Sequence, residues 1–286
     1  MDDALTPLLN LLELEPLEVN LFRGLGHGGE TSKRIFGGQV VAQALAAAYR
    51  TVEGRACHSL HSYFLRPGDP SIPVIYEVDR ARDGGSFTTR RVTAIQHGKQ
   101  IFNMAASFHI KEDSLNHQHP MPDVPAPEGL QSSSDLRAAM ADKVAPHRRD
   151  DFLRASPIEV RETAPYDMIN PSPASDVNSR WFRLIRPVEA SEALHQCLLS
   201  YASDMYLLTS ALRPQGQSWL TGDVMTASLD HAIWFHGPLN FSDWHLYAMD
   251  SPWSGGARGF NRGSIYTRDG RLVASTAQEG LIRPMA

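Results

Sequence analysis

The sequence predicts an α+β fold made of two tandem copies of one unit, a buried helix followed by an antiparallel meander. Three observations carry this. The segment Phe36–Tyr49 has Val and Ala nearly all round the helical wheel, so the helix is buried on every side. Four runs with strand character then follow one another, divided by turn signals. Finally, the spacing of the first meander recurs in the second half of the chain.

The repeat is read from matched positions. Tyr76 precedes Gly84-Gly85 by the same interval that separates Tyr247 from Gly255-Gly256, at an offset of 171 residues. Asp79 and Asp250, then Arg91 and Arg262, keep that offset, and Gly98 and Gly270 drift from it by one. Ser59-Leu60 resembles Ser228-Leu229, each after a helix. The chain is therefore expected to form an N-terminal unit over residues 1–110, a linker over 111–155 and a C-terminal unit over 156–286. Two such units should join their sheets edge to edge, with clefts between the halves.

Taken in order, the first 23 residues carry the helical pattern of Leu8, Leu11 and Leu12 and read as a short arm. A glycine-rich stretch, Gly24 to Gly29, leads to the buried helix. Strands are expected at His58–Leu65, Pro73–Ala81, Phe87–Gln96 and Gln100–His109, with His97-Gly-Lys99 as a hairpin turn. From Lys111 to Phe152 the composition turns to His, Pro, Ser and charge, the mark of a linker, with one amphipathic helix between Asp135 and Val144. His117 and His119 lie in this polar segment and are read as solvated; no metal or cofactor is assigned.

Composition bounds the function. An apolar fraction of 42% suffices for a real core, and no run approaches a membrane span. Acids at Asp2 and Asp3 are unlike a secretory signal, and the two cysteines, Cys57 and Cys197, lack metal spacing, which fits a reducing, cytoplasmic setting. A net charge of -5 without basic clusters argues against nucleic acid as a partner.

The second half holds the chemistry. Over Ser191–Leu212, Leu194, Cys197, Leu198, Tyr201, Met205, Leu208 and Leu212 form one helical stripe, with Ser191 as N-cap and Pro214 beyond the end. Asp204 sits on the edge of that stripe, where a carboxylate must lose water unless polar partners meet it. Period two turns Gln278 to the apolar face of its strand, at a position where the first copy has Ala106. Asp204, Ser228 and Gln278 together suit a bound water: the carboxylate takes its proton while hydroxyl and amide fix its place. The plainer alternative is an Asp204 that packs at a helix end or faces solvent.

These residues also carry a resemblance. Arg34-Ile-Phe-Gly-Gly-Gln-Val-Val-Ala-Gln-Ala-Leu45, His58-Ser-Leu-His-Ser-Tyr-Phe-Leu-Arg-Pro-Gly68, Tyr201-Ala-Ser-Asp204, Ser228-Leu-Asp-His-Ala-Ile-Trp-Phe-His236 and the stretch from Ala257-Arg-Gly-Phe260 to Gln278-Glu-Gly280 resemble the acyl-CoA thioesterase II family over essentially the whole chain. The resemblance implies a double hotdog fold, each long helix wrapped by an antiparallel sheet, and hydrolysis of medium- to long-chain fatty acyl-CoA. It implies Asp204, Ser228 and Gln278 as catalytic residues, with Ser at 228 where some members carry Thr. A backbone N–H stabilises the oxyanion in this scheme. By analogy with hotdog proteins, a homo-oligomer through sheet edges is expected.

Other readings stay open at this stage. His58 is an alternative general base, and a Ser–His pair of Ser228 and His231 is disfavoured because residues three apart on a strand face opposite ways. A hotdog hydratase would leave CoA on its product, and a non-catalytic acyl-CoA binding protein would release nothing. Arg66, Arg258 and Arg262 are candidates for the CoA phosphates. Trp219, Ile233, Trp234 and Phe235 are candidates for an acyl channel or for core.

Overall fold

The computed structural model describes residues 4–26 and 34–285. The N-terminal segment begins with α1 (Leu5–Leu12), which buries Leu5, Leu8, Leu11 and Leu12. It continues as a hairpin of β1 (Glu15–Glu18) and β2 (Leu21–Gly24) rather than as an arm. β2 pairs with β4 and so belongs to the sheet. Two four-residue strands with no apolar alternation leave too little period to read from sequence. The glycine-rich stretch runs out of the described residues after Gly26.

α2 (Gly37–Tyr49) is buried at each position from Gly38 to Leu45, as its wheel requires. β3 (Ala56–Phe64), β4 (Val74–Asp83), β5 (Phe87–Gln96) and β6 (Lys99–His109) follow within two residues of the expected spans. His97 and Gly98 both have positive φ, 48° and 68°. That is the two-residue primed turn whose twist matches the flanking strands.

The connecting segment contains two helices, α3 (Ser133–Met140) and α4 (Pro146–Leu153), where one was expected. It is docked along the second half of the sheet. The Trp181 indole N–H donates to the Pro125 carbonyl at 2.8 Å, and Gln118 bonds the backbone at both Gly270 and Leu272. Met121, Val124 and Leu130 pack against Trp181, Trp244, Leu246 and Tyr266. Proline-rich chain with regularly spaced apolar residues can lie on a sheet without helical or strand periodicity, which is why its composition reads as a linker.

The second half comprises β7 (Ile158–Glu162), β8 (Asn178–Leu184), α5 (Glu192–Ser203), α6 (Thr209–Leu212) and then β9 (Val224–Ser228), β10 (Asp230–Phe235), β11 (His245–Gly255), β12 (Arg258–Thr267) and β13 (Leu272–Pro284). Ser191 caps α5 by accepting from the Leu194 N–H. The helix expected to reach Leu212 stops at Ser203, with Asp204 as its C-cap, and resumes as α6. Bonds from Asp204 to β9 and β13 tether the chain there, and the stripe residues beyond it, Met205 and Leu208, turn into a cavity.

Among the described residues all thirteen strands form one sheet, and the two halves meet at β3 and β10. Its register bears out the repeat. Asp79 stands opposite Arg91 and Asp250 opposite Arg262, each pair followed by a bulge. The drift of one arises in the last hairpins, where Gln96 closes on Lys99 but Thr267 closes on Arg271. One match moves. Leu60 faces Ala106, while Ala232 faces Ala277, which puts His231 at Gln278. The counterpart of Leu60 is thus His231, and that of Ser59 is Asp230 rather than Ser228.

α2 and α5 pack against each other in opposite directions. A Cβ on Gly38 would lie 2.3 Å from the Tyr201 carbonyl, so only glycine allows this approach. At the other end the Tyr49 hydroxyl bonds the Gln196 side chain.

Candidate active site

This packing sets the N-terminus of α2, from the first half, against the C-terminus of α5, from the second. Asp204 lies between them, 9% exposed. Gln278 Nε2 donates to its Oδ1 at 2.5 Å, and Ser228 Oγ donates to the same oxygen at 3.1 Å. The Gly38 backbone N–H also bonds the carboxylate, at the positive end of the α2 dipole. A Cβ on Gly37 would come within 2.6 Å of Asp204 Oδ2. Glycine is therefore needed there for the helix terminus to meet the carboxylate.

Burial outweighs these bonds and pushes the Asp204 carboxyl up to about 6, each of the bonds pulling it back toward the usual carboxylate range. Asp204 is thus ionised at neutral pH yet a stronger base than a solvated aspartate, which is what proton abstraction near pH 7 asks for.

Asp204 and Ser228 face a cavity of about 1640 Å³. Phe36, Phe64, Met205, Leu208, Leu212 and Met225 give it apolar walls, while Arg34, Arg66 and Arg137 bring positive charge to it and Arg154 is paired with Asp151 at its rim. Leu8 and Leu11 of α1, and Leu153 to Pro157 from the end of α4 onward, also line it. An amphiphile with a long apolar part and an anionic part matches this division. Gln278 is not among the lining residues. It is 1% exposed and stands behind Asp204 and Ser228, with its Nε2 3.1 Å from Ser228 Oγ.

Comparison with known proteins identifies the family. An acyl-CoA thioesterase family model matches residues 156–281, and a model of the acyl-CoA thioesterase N-terminal domain matches residues 28–109. Acyl-CoA thioesterase 2 of Haemophilus influenzae is 38% identical, across 99% of this chain and 99% of its own. The chain belongs to the acyl-CoA thioesterase family. An acyl-CoA thioesterase II from Mycobacterium marinum superposes with a TM-score of 0.80 at 39% identity, covering 98% of this chain and 99% of that one. A hot dog fold protein from Alicyclobacillus acidocaldarius, with a TM-score of 0.77, 19% identity and coverage of 98% and 99%, adds likeness of fold alone. The fold is the double hotdog.

Within this family member, the remaining residues singled out from sequence separate clearly. His58 does not line the cavity. Its Nε2 is bonded to Ser107 Oγ at 2.8 Å, and its ring meets Phe87 edge-on. Arg66 lines the cavity and is braced by the Gln100 carbonyl at 2.6 Å. Arg258 and Arg262 do not; they are paired with Glu279 and Asp250. Trp219 lines the cavity, Ile233 and Phe235 are core, and Trp234, pointing the other way on β10, meets His61 at 5.1 Å. His117 and His119 are exposed.

Sequence reasoning missed Gly38 and Ser203, and weighed His231 only as a partner for a nucleophilic Ser228. Ser228 and His231, judged unable to meet, share no bond among the described residues, but Gln278 Nε2 touches both, at 3.1 and 3.2 Å. The strand is interrupted at Leu229, whose N–H bonds Glu279 and whose carbonyl accepts from Phe64, so period two does not run through it.

Proposed function

We propose that this chain hydrolyses medium- to long-chain fatty acyl-CoA to free fatty acid and CoA. The observation that carries the reading is a buried carboxylate of raised basicity, Asp204, beside a hydroxyl, Ser228, in a cavity whose walls are apolar and whose charge is positive. Asp204 takes a proton from water, whose oxygen adds to the thioester carbon. The tetrahedral intermediate collapses with loss of the C–S bond, and the departing thiolate regains the proton from Asp204. A backbone N–H stabilises the oxyanion. Ser228 holds the water together with Asp204. Gln278, expected to hold it too, acts from behind by fixing the carboxylate and the hydroxyl. On this reading the catalytic residues belong to the C-terminal unit, and the basic side chains near Arg66 receive the CoA phosphates.

A homo-oligomer through sheet edges would use β7, since β1 exposes Pro16 between two glutamates and is a poor edge for pairing.

The test is thiol release from acyl-CoA substrates of increasing chain length, by the native chain and by Asp204→Asn. Release that rises with chain length and collapses in the variant is expected. Absence of free thiol, with the acyl chain altered while still on CoA, would replace this reading by a hydratase. Binding without any turnover would replace it by a sensor.

A further inference from the structure

We propose that His231 is a positioning residue whose tautomer decides which end of the Gln278 carboxamide faces Asp204. This rests on the thioesterase reading above for its kinetic consequences, but the hydrogen-bond geometry stands by itself.

His231 is fully buried. Its Nε2 lies 2.9 Å from Ser203 Oγ and its Nδ1 lies 3.2 Å from Gln278 Nε2. The Ser203 hydroxyl proton is committed to the Ser200 carbonyl at 3.0 Å. Ser203 Oγ is therefore left as an acceptor, and the proton between it and the ring must sit on His231 Nε2. Nδ1 is then a bare acceptor.

A bare Nδ1 calls for a donor, and the Gln278 NH2 group supplies it. One of its hydrogens goes to His231 and the other is shared by Asp204 Oδ1 and Ser228 Oγ, leaving the Gln278 Oε1 without a protein partner. The opposite tautomer would turn the amide over. Oε1 would then stand at 2.5 Å from a carboxylate oxygen, an arrangement possible only if Asp204 holds a proton. The imidazole and Ser203 thus keep Gln278 in the one orientation that supports an ionised base. Burial pushes the ring down to about 4, so it stays neutral and keeps its acceptor at working pH.

A second, independent observation comes from the repeat. His231 and Gln278 occupy the two opposed register positions that Leu60 and Ala106 fill in the first half. Both positions differ between the halves, and the polar pair lies in the half that carries Asp204.

Other groups that bear on the pair are few. β11 contributes Tyr247, whose hydroxyl donates to the Ser203 carbonyl at 3.0 Å, and α2 contributes the Gly38 N–H to Asp204. β9 contributes the Ser228 hydroxyl.

Two measurements test the proposal. Nitrogen NMR of the histidine-labelled native chain should show His231 neutral with the proton on Nε2; a proton on Nδ1 would overturn it whatever the substrate proves to be. Kinetically, His231→Leu, which installs the residue of the first copy, should lower kcat by more than about tenfold with little change in KM. It should also move the acid limb of the pH profile upward. The same substitution made in Gln278→Ala should cost less than about twofold, because the amide it orients is gone. Equal losses in both backgrounds would mean that His231 acts on packing alone. Ser203→Ala, a smaller change, provides the same reading if His231→Leu fails to fold: it should raise the acid limb in the native background and not in Gln278→Ala. No thiol release from the native chain would instead count against the thioesterase reading, while the NMR result still decides the tautomer.

Discussion

Removing the Gln278 amide should shift the pH at which the enzyme loses activity, and the structure gives both sign and size. The native acid limb of kcat/KM should lie near 6, where burial puts Asp204. Below that pH the base is protonated and the rate falls about tenfold per unit. The bond from Gln278 Nε2, 2.5 Å long, ends on a charged acceptor. Such bonds contribute about 1.5–3 kcal/mol, and one pH unit corresponds to about 1.4 kcal/mol. The donor favours the carboxylate over the acid, so Gln278→Ala should raise the limb by about one to two units. Water entering the vacated space would restore part of the solvation and favour the lower figure. The assay is thiol release on one acyl-CoA from about pH 5 to 9, read as kcat/KM. A native limb near that of a free aspartate, or a variant limb that stays put or moves down, would refute the assignment of Asp204 as the titrating base under the control of Gln278.

Asp204→Asn should raise thermal stability at neutral pH, because the folded chain holds this carboxyl well above its unfolded value of 3.8. The destabilisation it removes is absent below about pH 4 and fully present above about 6, so the gain in stability over the native chain, read as a rise in Tm, should grow across that window, toward about 3 kcal/mol. Gly38→Ala should cost more than about 2 kcal/mol, read by chemical denaturation, since its Cβ would meet the Tyr201 carbonyl, which cannot move without shifting α5. Arg66→Ala should raise KM for acyl-CoA in a salt-dependent manner, whereas Arg262→Ala, whose partner Asp250 already neutralises it outside the cavity, should leave KM unchanged.

How much of this was legible in the sequence depends on the range of the signal. α2 was, because Ala and Val on every face can mean only burial, and β5 was, because it lies between the turn signals Asp83-Gly-Gly85 and His97-Gly-Lys99. Asp204 and Gln278 were visible as polar residues on apolar faces, though their meeting was inferred through the family likeness. The break in α5 was not legible, since Met205, Leu208 and Leu212 continue a helical period that tertiary bonds to Asp204 override. His231 was hidden for a similar reason. Its orientation depends on a strand interruption at Leu229 enforced by β13 and by β3, neither of which is near in sequence. The docked strap from Met121 to Leu130 was misjudged because proline and polar residues conceal anchors whose partners, Trp181 and Trp244, lie far along the chain.

The pairing of Leu60 with Ala106 in one half and of His231 with Gln278 in the other has a bearing on why two units share one polypeptide. In a dimer of identical subunits every substitution is made twice, once at each symmetry-related position. A histidine and a glutamine introduced to serve one carboxylate would appear again in the opposite core, where each would need its own partners or lie unsatisfied. Joining the units end to end breaks that identity. One half is free to keep a conventional apolar core, lending the carboxylate the glycine-lined start of its helix, while the other gives up packing for a polar network. Covalent linkage thus makes asymmetry heritable: each half can specialise without its neighbour being obliged to follow.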